Sequence, residues 1–115
     1  MTLKEYQERA MTTCLPESEN FAYMMLNLVG EVGEIAGKVS KLIRKDLALI
    51  DCNEISISDH ASVELIQKEC GDVLWQLSGL CSVMGWSLED IAQQNLDKLA
   101  DRKQRGVIDS QGDNR

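Results

Sequence analysis

The chain has 115 residues with 12 basic and 19 acidic side chains, a formal net charge of -7. That length fits one domain with a modest core. The acidic balance excludes a surface built to grip a nucleic-acid polymer, though a small phosphorylated ligand is allowed where a cation mediates. Hydrophobic residues are 43% of the chain, which excludes a disordered composition, but aromatics are only 4%, so aliphatic side chains must fill the core.

Thr2 to about Thr13 is predicted as a first helix, because Thr2 and Glu5 have the spacing of a capping box. Pro16 breaks it. Ser18 can cap a second helix from about Glu19 to Arg44, with Phe21, Met25, Leu28, Val32, Ile35, Val39 and Leu42 as its apolar face. Residues 46–59 hold no sustained period and are predicted as a connecting loop with room for a short turn. A third helix is predicted over His60–Met84, stopped by Gly85. Ser87 caps a fourth, which turns Ile91, Leu96 and Leu99 inward and fades near Gly106. The expected fold is all-α, a four-helix, bundle-like protomer formed by a single domain over residues 1–106. A polar, mobile tail is expected over 107–115. Residues 73–84 are apolar on most sides, and four helices can hardly cover them, so a partner chain is expected against helix three.

The N-terminus lacks the apolar segment of a secretory signal, and no apolar run is long enough to span a membrane. Cys14, Cys52, Cys70 and Cys81 form no C-x-x-C pair, which points to reduced thiols in a cytoplasmic protein. His60, the one histidine, is assigned no role.

Two motifs carry the chemistry. Glu31-Val32-Gly33-Glu34 and Glu69-Cys70-Gly71-Asp72 each put two carboxylates at i and i+3 on one side of a helix. Like charges at that spacing repel by a few tenths of a kcal/mol. Their apolar flanks add a risk of burial, which is costly for an unpaired charge. Four such carboxylates converging in one bundle predict one or two hard divalent cations, Mg²⁺ or Mn²⁺. Gly30, Gly33, Gly37 and Gly71 lie beside the acids, and each costs a helix roughly 1 kcal/mol. They predict close approach of a neighbouring backbone or a ligand. On helix four, Asn95, Lys98, Arg102 and Arg105 share a face that could grip phosphate oxygens opposite the acids. Lys38, a turn beyond Glu34, reads either as a salt-bridge partner or as a phosphate contact. A di-iron site is excluded, since no Glu-x-x-His element is present.

Glu31-x-x-Glu34, Glu69-x-x-Asp72 and Asn95-Leu96-x-Lys98-Leu99-x-x-Arg102-x-x-Arg105-Gly106 together resemble the MazG-type all-α nucleoside triphosphate pyrophosphohydrolases, from about Tyr6 to Gly106. One departure is the stretch from Glu34 to Glu69, longer than in many members, with its extra length in 46–59. The resemblance implies Mg²⁺-dependent cleavage of a nucleoside triphosphate between the α and β phosphates, in a homodimer or homotetramer. It implies that Glu31, Glu34, Glu69 and Asp72 bind the metals and carry catalysis. Lys98, Arg102 and Asn95 would contact the substrate. Two rival readings are a phosphoribosyl-ATP pyrophosphohydrolase of similar fold and a non-catalytic helical binding or assembly module. Substrate profile separates the first, and the four intact acids argue against the second.

Overall fold

The structure is a computed structural model that describes residues 1–109 and 111–113. Its order is α1 (Leu3–Met11), a 3-10 turn (Pro16–Ser18), α2 (Phe21–Arg44), β1 (Ala48–Asp51), β2 (Glu54–Ile57), α3 (His60–Val83) and α4 (Leu88–Arg105). The four expected helices form. The Thr2 hydroxyl accepts from the Glu5 amide and the Glu5 carboxylate accepts from the Thr2 amide, which completes the capping box. The cap of α2 is Asn20 and not Ser18: Asn20 Oδ1 accepts from the Tyr23 amide at 2.8 Å, while Ser18 is taken up in the turn that Pro16 begins.

The connecting loop is a hairpin. β1 pairs antiparallel with β2 in the register Ala48–Ile57 to Asp51–Glu54. Cys52 and Asn53 make the two-residue connection with φ of 49° and 68°, the left-handed pair that suits the twist of a tight hairpin. No Asn-Gly or Asp-Gly pair announces it, and apolar alternation shows only in β2.

The α2–α3 pair is the main packing unit, with α1 laid against α3 and α4 against α1. Two side chains tie these elements together. Trp75 Nε1 donates to the Ala10 carbonyl at 3.1 Å and to Thr13 Oγ1 at 3.0 Å. Gln7 Nε2 donates to Ser82 Oγ and to the Trp86 carbonyl, and Gln7 Oε1 accepts from the Leu88 amide, so one glutamine joins α1 to the α3–α4 turn.

The inward face of α2 differs from the most apolar stripe. Met24 and Leu42 are buried and Leu28 and Ile35 half-buried, whereas Phe21, Met25 and Val32 are exposed. The core-facing register is therefore 24, 28, 31, 35, 38 and 42, and it carries Glu31 and Lys38 inward with the apolar residues. On α4, Leu88 and Arg102 are buried, while Leu96 and Leu99 stay exposed, contrary to the inward role expected for them.

The folded chain is open. Its radius of gyration is 17.4 Å, against about 13 Å for a compact chain of this length. In the middle of α3, Gln76, Ser78, Gly79 and Cys81 are buried while Leu77 is exposed, and α2 bares an apolar stripe at Leu26, Val29 and Val32. No described helix is long and apolar enough to cross a membrane.

Ser78 Oγ and Gln76 Oε1 are buried without a hydrogen-bond partner among the described residues. Ser78→Ala is expected to raise stability by about 1 kcal/mol, because it removes an unsatisfied hydroxyl and favours the helix. Thermal unfolding of the variant checks this.

Candidate functional site

The inward register of α2 brings Glu31 against α3, where Glu69 and Asp72 stand one turn apart. One carboxylate oxygen from each of the three lies within 4.8 Å of the others. Oxygens on opposite sides of an octahedral Mg²⁺ are about 4.2 Å apart, so small side-chain rotations close this group around one ion. Three hard oxygen donors with no nitrogen or sulfur suit such a cation. Glu34 is exposed and outside the three, although its charge reaches Glu31.

The electrostatics match. Partial burial, then the charges of Asp72, Glu69 and Glu34, push the Glu31 carboxyl above its ordinary range. The folded chain therefore holds this proton more tightly than the unfolded chain. The penalty for ionised Glu31 is complete above its folded pKa, and it disappears as pH falls below the unfolded value near 4.5. A bound divalent cation relieves the same repulsion. Mg²⁺ at tenfold its dissociation constant is expected to stabilise the protein by about 1.4 kcal/mol, roughly 4–6 °C in unfolding midpoint. The shift should shrink as pH falls toward the unfolded value near 4.5, where protons compete with the cation for Glu31, and unfolding scans across a pH series read it.

Of the two readings of Lys38, the structure supplies the salt bridge: its Nζ is 3.1 Å from Glu69 Oε1, linking α2 to α3 at the edge of the acid group. Lys98 and Arg102 both meet the tail carboxylate of Asp113, at 3.4 and 2.9 Å. These cations hold the Asp113 carboxyl below its ordinary range, the Arg102 hydrogen bond first and the Lys98 charge next. Asn95 lines a shallow depression with Ile91, Gln94 and Lys98.

Tyr6 stands near the acids, and no sequence pattern points to that. Burial, and then the charge of Asp72, raise its hydroxyl pKa. Tyr6 also lines an open groove of about 590 Å³ with Arg9, Thr13 and Trp75. The expected close approach at the glycines is not met within the chain. A Cβ on Gly33, Gly37 or Gly71 would meet nothing within 4 Å, and on Gly30 only Asn27 Oδ1 at 3.7 Å. The tight glycine is Gly79, where a Cβ would lie 2.4 Å from Met24 Sδ.

Residues 19–107 match the family description "MazG nucleotide pyrophosphohydrolase domain". The chain belongs to the MazG family. The match covers α2, the hairpin, α3 and α4, and so contains all three clustered carboxylates and the helix-four bases. MazG membership carries a nucleotide substrate, pyrophosphohydrolase chemistry and use of a divalent metal, for which Glu31, Glu69 and Asp72 are suited donors. A relative is the Gene 37 protein of Mycobacterium phage L5, 41% identical over 98 residues, which cover 84% of this chain and 78% of that one. No solved structure gives a significant match.

Proposed function

We propose that the protein is a Mg²⁺-dependent nucleoside triphosphate pyrophosphohydrolase that cleaves between the α and β phosphates to give a nucleoside monophosphate and pyrophosphate. Mn²⁺ serves as a substitute. The observation that carries this reading is the meeting of Glu31, Glu69 and Asp72 between α2 and α3 in a chain of the MazG family. A divalent cation there supplies the positive charge that an acidic protein needs to draw in a polyphosphate, and the Lewis acidity to activate a water nucleophile.

The chain's own residues do the rest. Glu31, Glu69 and Asp72 hold the cation, with Glu34 joining from the next turn of α2. Lys38 orients Glu69 through their ion pair and lies within reach of a phosphate. Lys98, Arg102 and Asn95 bind phosphate oxygens, the guanidinium by its paired donors. Tyr6 and Trp75 give the nucleoside a wall beside Asp72. Residues 1–106 act as one domain with 107–115 as a tail. The expected mobility of that tail falls partly on Ser110, Asn114 and Arg115, which lie outside the described residues.

The working unit in this reading is a homodimer or homotetramer. The large radius of gyration and the bare stripe on α2 support it, and the open lane at Gly30, Gly33 and Gly37 runs beside Leu26 on that helix. The four free thiols fit the cytoplasm.

The test is pyrophosphate release across a panel of ribo- and deoxyribonucleoside triphosphates, with Mg²⁺ and with chelator. Release that chelator stops is the expected result. Silence across the panel from a folded protein would overturn the reading and send the search to phosphoribosyl-ATP.

A further inference from the structure

The two cations proposed to bind phosphate already hold an anion, and it comes from the chain's own tail. α4 ends at Gly106, whose φ of 71° is left-handed, and the Val107 amide donates to the Arg102 carbonyl at 3.0 Å. The chain is thereby turned back along the helix it has just left. Gly112 makes a second left-handed turn, at φ 83°. Asp113 follows directly. Arg102 Nη2 donates to Asp113 Oδ1 at 2.9 Å and to the Asp113 carbonyl at 3.3 Å, and Lys98 Nζ donates to the same Oδ1 at 3.4 Å.

The two ends of this contact are unequal. The Arg102 side chain is 5% exposed and that of Asp113 84%. The guanidinium is fixed in the fold, whereas the carboxylate arrives from solvent on a short tail. Salt and water screen such an ion pair, which makes it easy to displace. A polyphosphate offers the same cations more oxygens and more charge.

We propose that the tail is an autoinhibitory strap: the Asp113 carboxylate occupies the seat of a substrate phosphate on Lys98 and Arg102, and it leaves when the polyphosphate binds. This deepens the proposed function and rests on the phosphate-binding role of these two residues. The strap competes for the site without taking part in the bond cleavage, so it raises KM and leaves kcat alone.

Asp113→Asn keeps the shape of the tail and removes its charge. A strap closed for roughly two-thirds to nine-tenths of the time raises an apparent dissociation constant about three- to tenfold. The variant is therefore expected to lower KM for the nucleoside triphosphate by that factor at unchanged kcat. It should tighten binding of inorganic pyrophosphate, measured by calorimetry, to the same extent. Truncation after Val107 should reproduce both effects. Asp109→Asn, which neutralises another exposed carboxylate of the tail, should produce neither. Pyrophosphate binding needs no turnover, so the two claims separate. Tighter binding in a protein that hydrolyses no nucleotide sustains the strap and removes the activity. Normal turnover with KM and pyrophosphate affinity unmoved by Asp113→Asn, or moved equally by Asp109→Asn, removes the strap and sustains the activity.

Discussion

Asp72→Ala is expected to lower metal-dependent pyrophosphate release by about 10²–10³-fold, a loss of roughly 3–4 kcal/mol of transition-state stabilisation. The same substitution should leave the unfolding midpoint unchanged or raise it. Asp72 is exposed, and after burial its charge is the next cause that raises the Glu31 pKa, so its removal relieves a repulsion in the metal-free protein. A residue kept for stability would behave in the opposite way. Glu69 is the informative contrast. Glu69→Ala should abolish activity as well, but it also strands Lys38, whose ion-pair partner it removes. The pair is part-buried, so this variant should lose stability where Asp72→Ala does not. Activity assays run beside thermal unfolding on both variants check the combination. Activity retained in Asp72→Ala would place the metal elsewhere.

The second large effect is in the packing beneath the site. Met24 is fully buried and its sulfur rests on Gly79, in the seam between α2 and α3. A Cβ at position 79 would come within 2.4 Å of Met24 Sδ and 2.7 Å of its Cε. A thioether is flexible, but a side chain with no exposed surface has nowhere to swing. Overpacking of this kind costs about 1–3 kcal/mol, and alanine's better helix propensity returns up to roughly 1 kcal/mol. Gly79→Ala is therefore expected to destabilise by about 1–2 kcal/mol. Met24→Ala empties the same place and should cost about 2–5 kcal/mol. The double variant should be less destabilised than the sum of the two, because the new methyl group enters the vacated space. Denaturant unfolding of the wild type, both single variants and the double variant measures the coupling. Strict additivity would contradict the contact.

Local signals carry most of the fold. Caps and stops are short-range chemistry, so Thr2, Ser87, Gly85 and Gly106 mark their helix ends by residue type and spacing alone. Ser18 misleads because a second candidate cap, Asn20, stands close by, and the turn begun by Pro16 takes up the serine. The hairpin is hidden for another reason. Of the strand residues only Ala48 is buried, and β1 lacks the clean alternation that a core imposes, which leaves the four residues of β2 as the only periodic signal.

The site is legible as a set of residue types and less so as a place. The spacing of the acids announces a cluster, and three of them meet. The apolar stripe of α2 finds Leu28, Ile35 and Leu42 on the side that packs but is shifted from it at Phe21, Met25 and Val32, since a rule that seeks apolar residues passes over Glu31 and Lys38. That rule fails where charged side chains lie on the face that packs. The same displacement explains the glycines: those beside the acids face open space, and the one that lets the helices close is Gly79, inside the apolar run of α3. The influence of Asp72 on Tyr6 and the ion pair of Asp113 with Arg102 leave no periodic trace, because only the folded chain brings these groups together.

The identity of the products decides which anhydride the protein cleaves. Phosphorus NMR of a nucleoside triphosphate incubated with the protein and Mg²⁺ should show a nucleoside monophosphate and pyrophosphate rising together, with neither formed in chelator. A nucleoside diphosphate with inorganic phosphate would mean cleavage at the terminal anhydride, and it would contradict the chemistry assigned to the Glu31, Glu69 and Asp72 cluster.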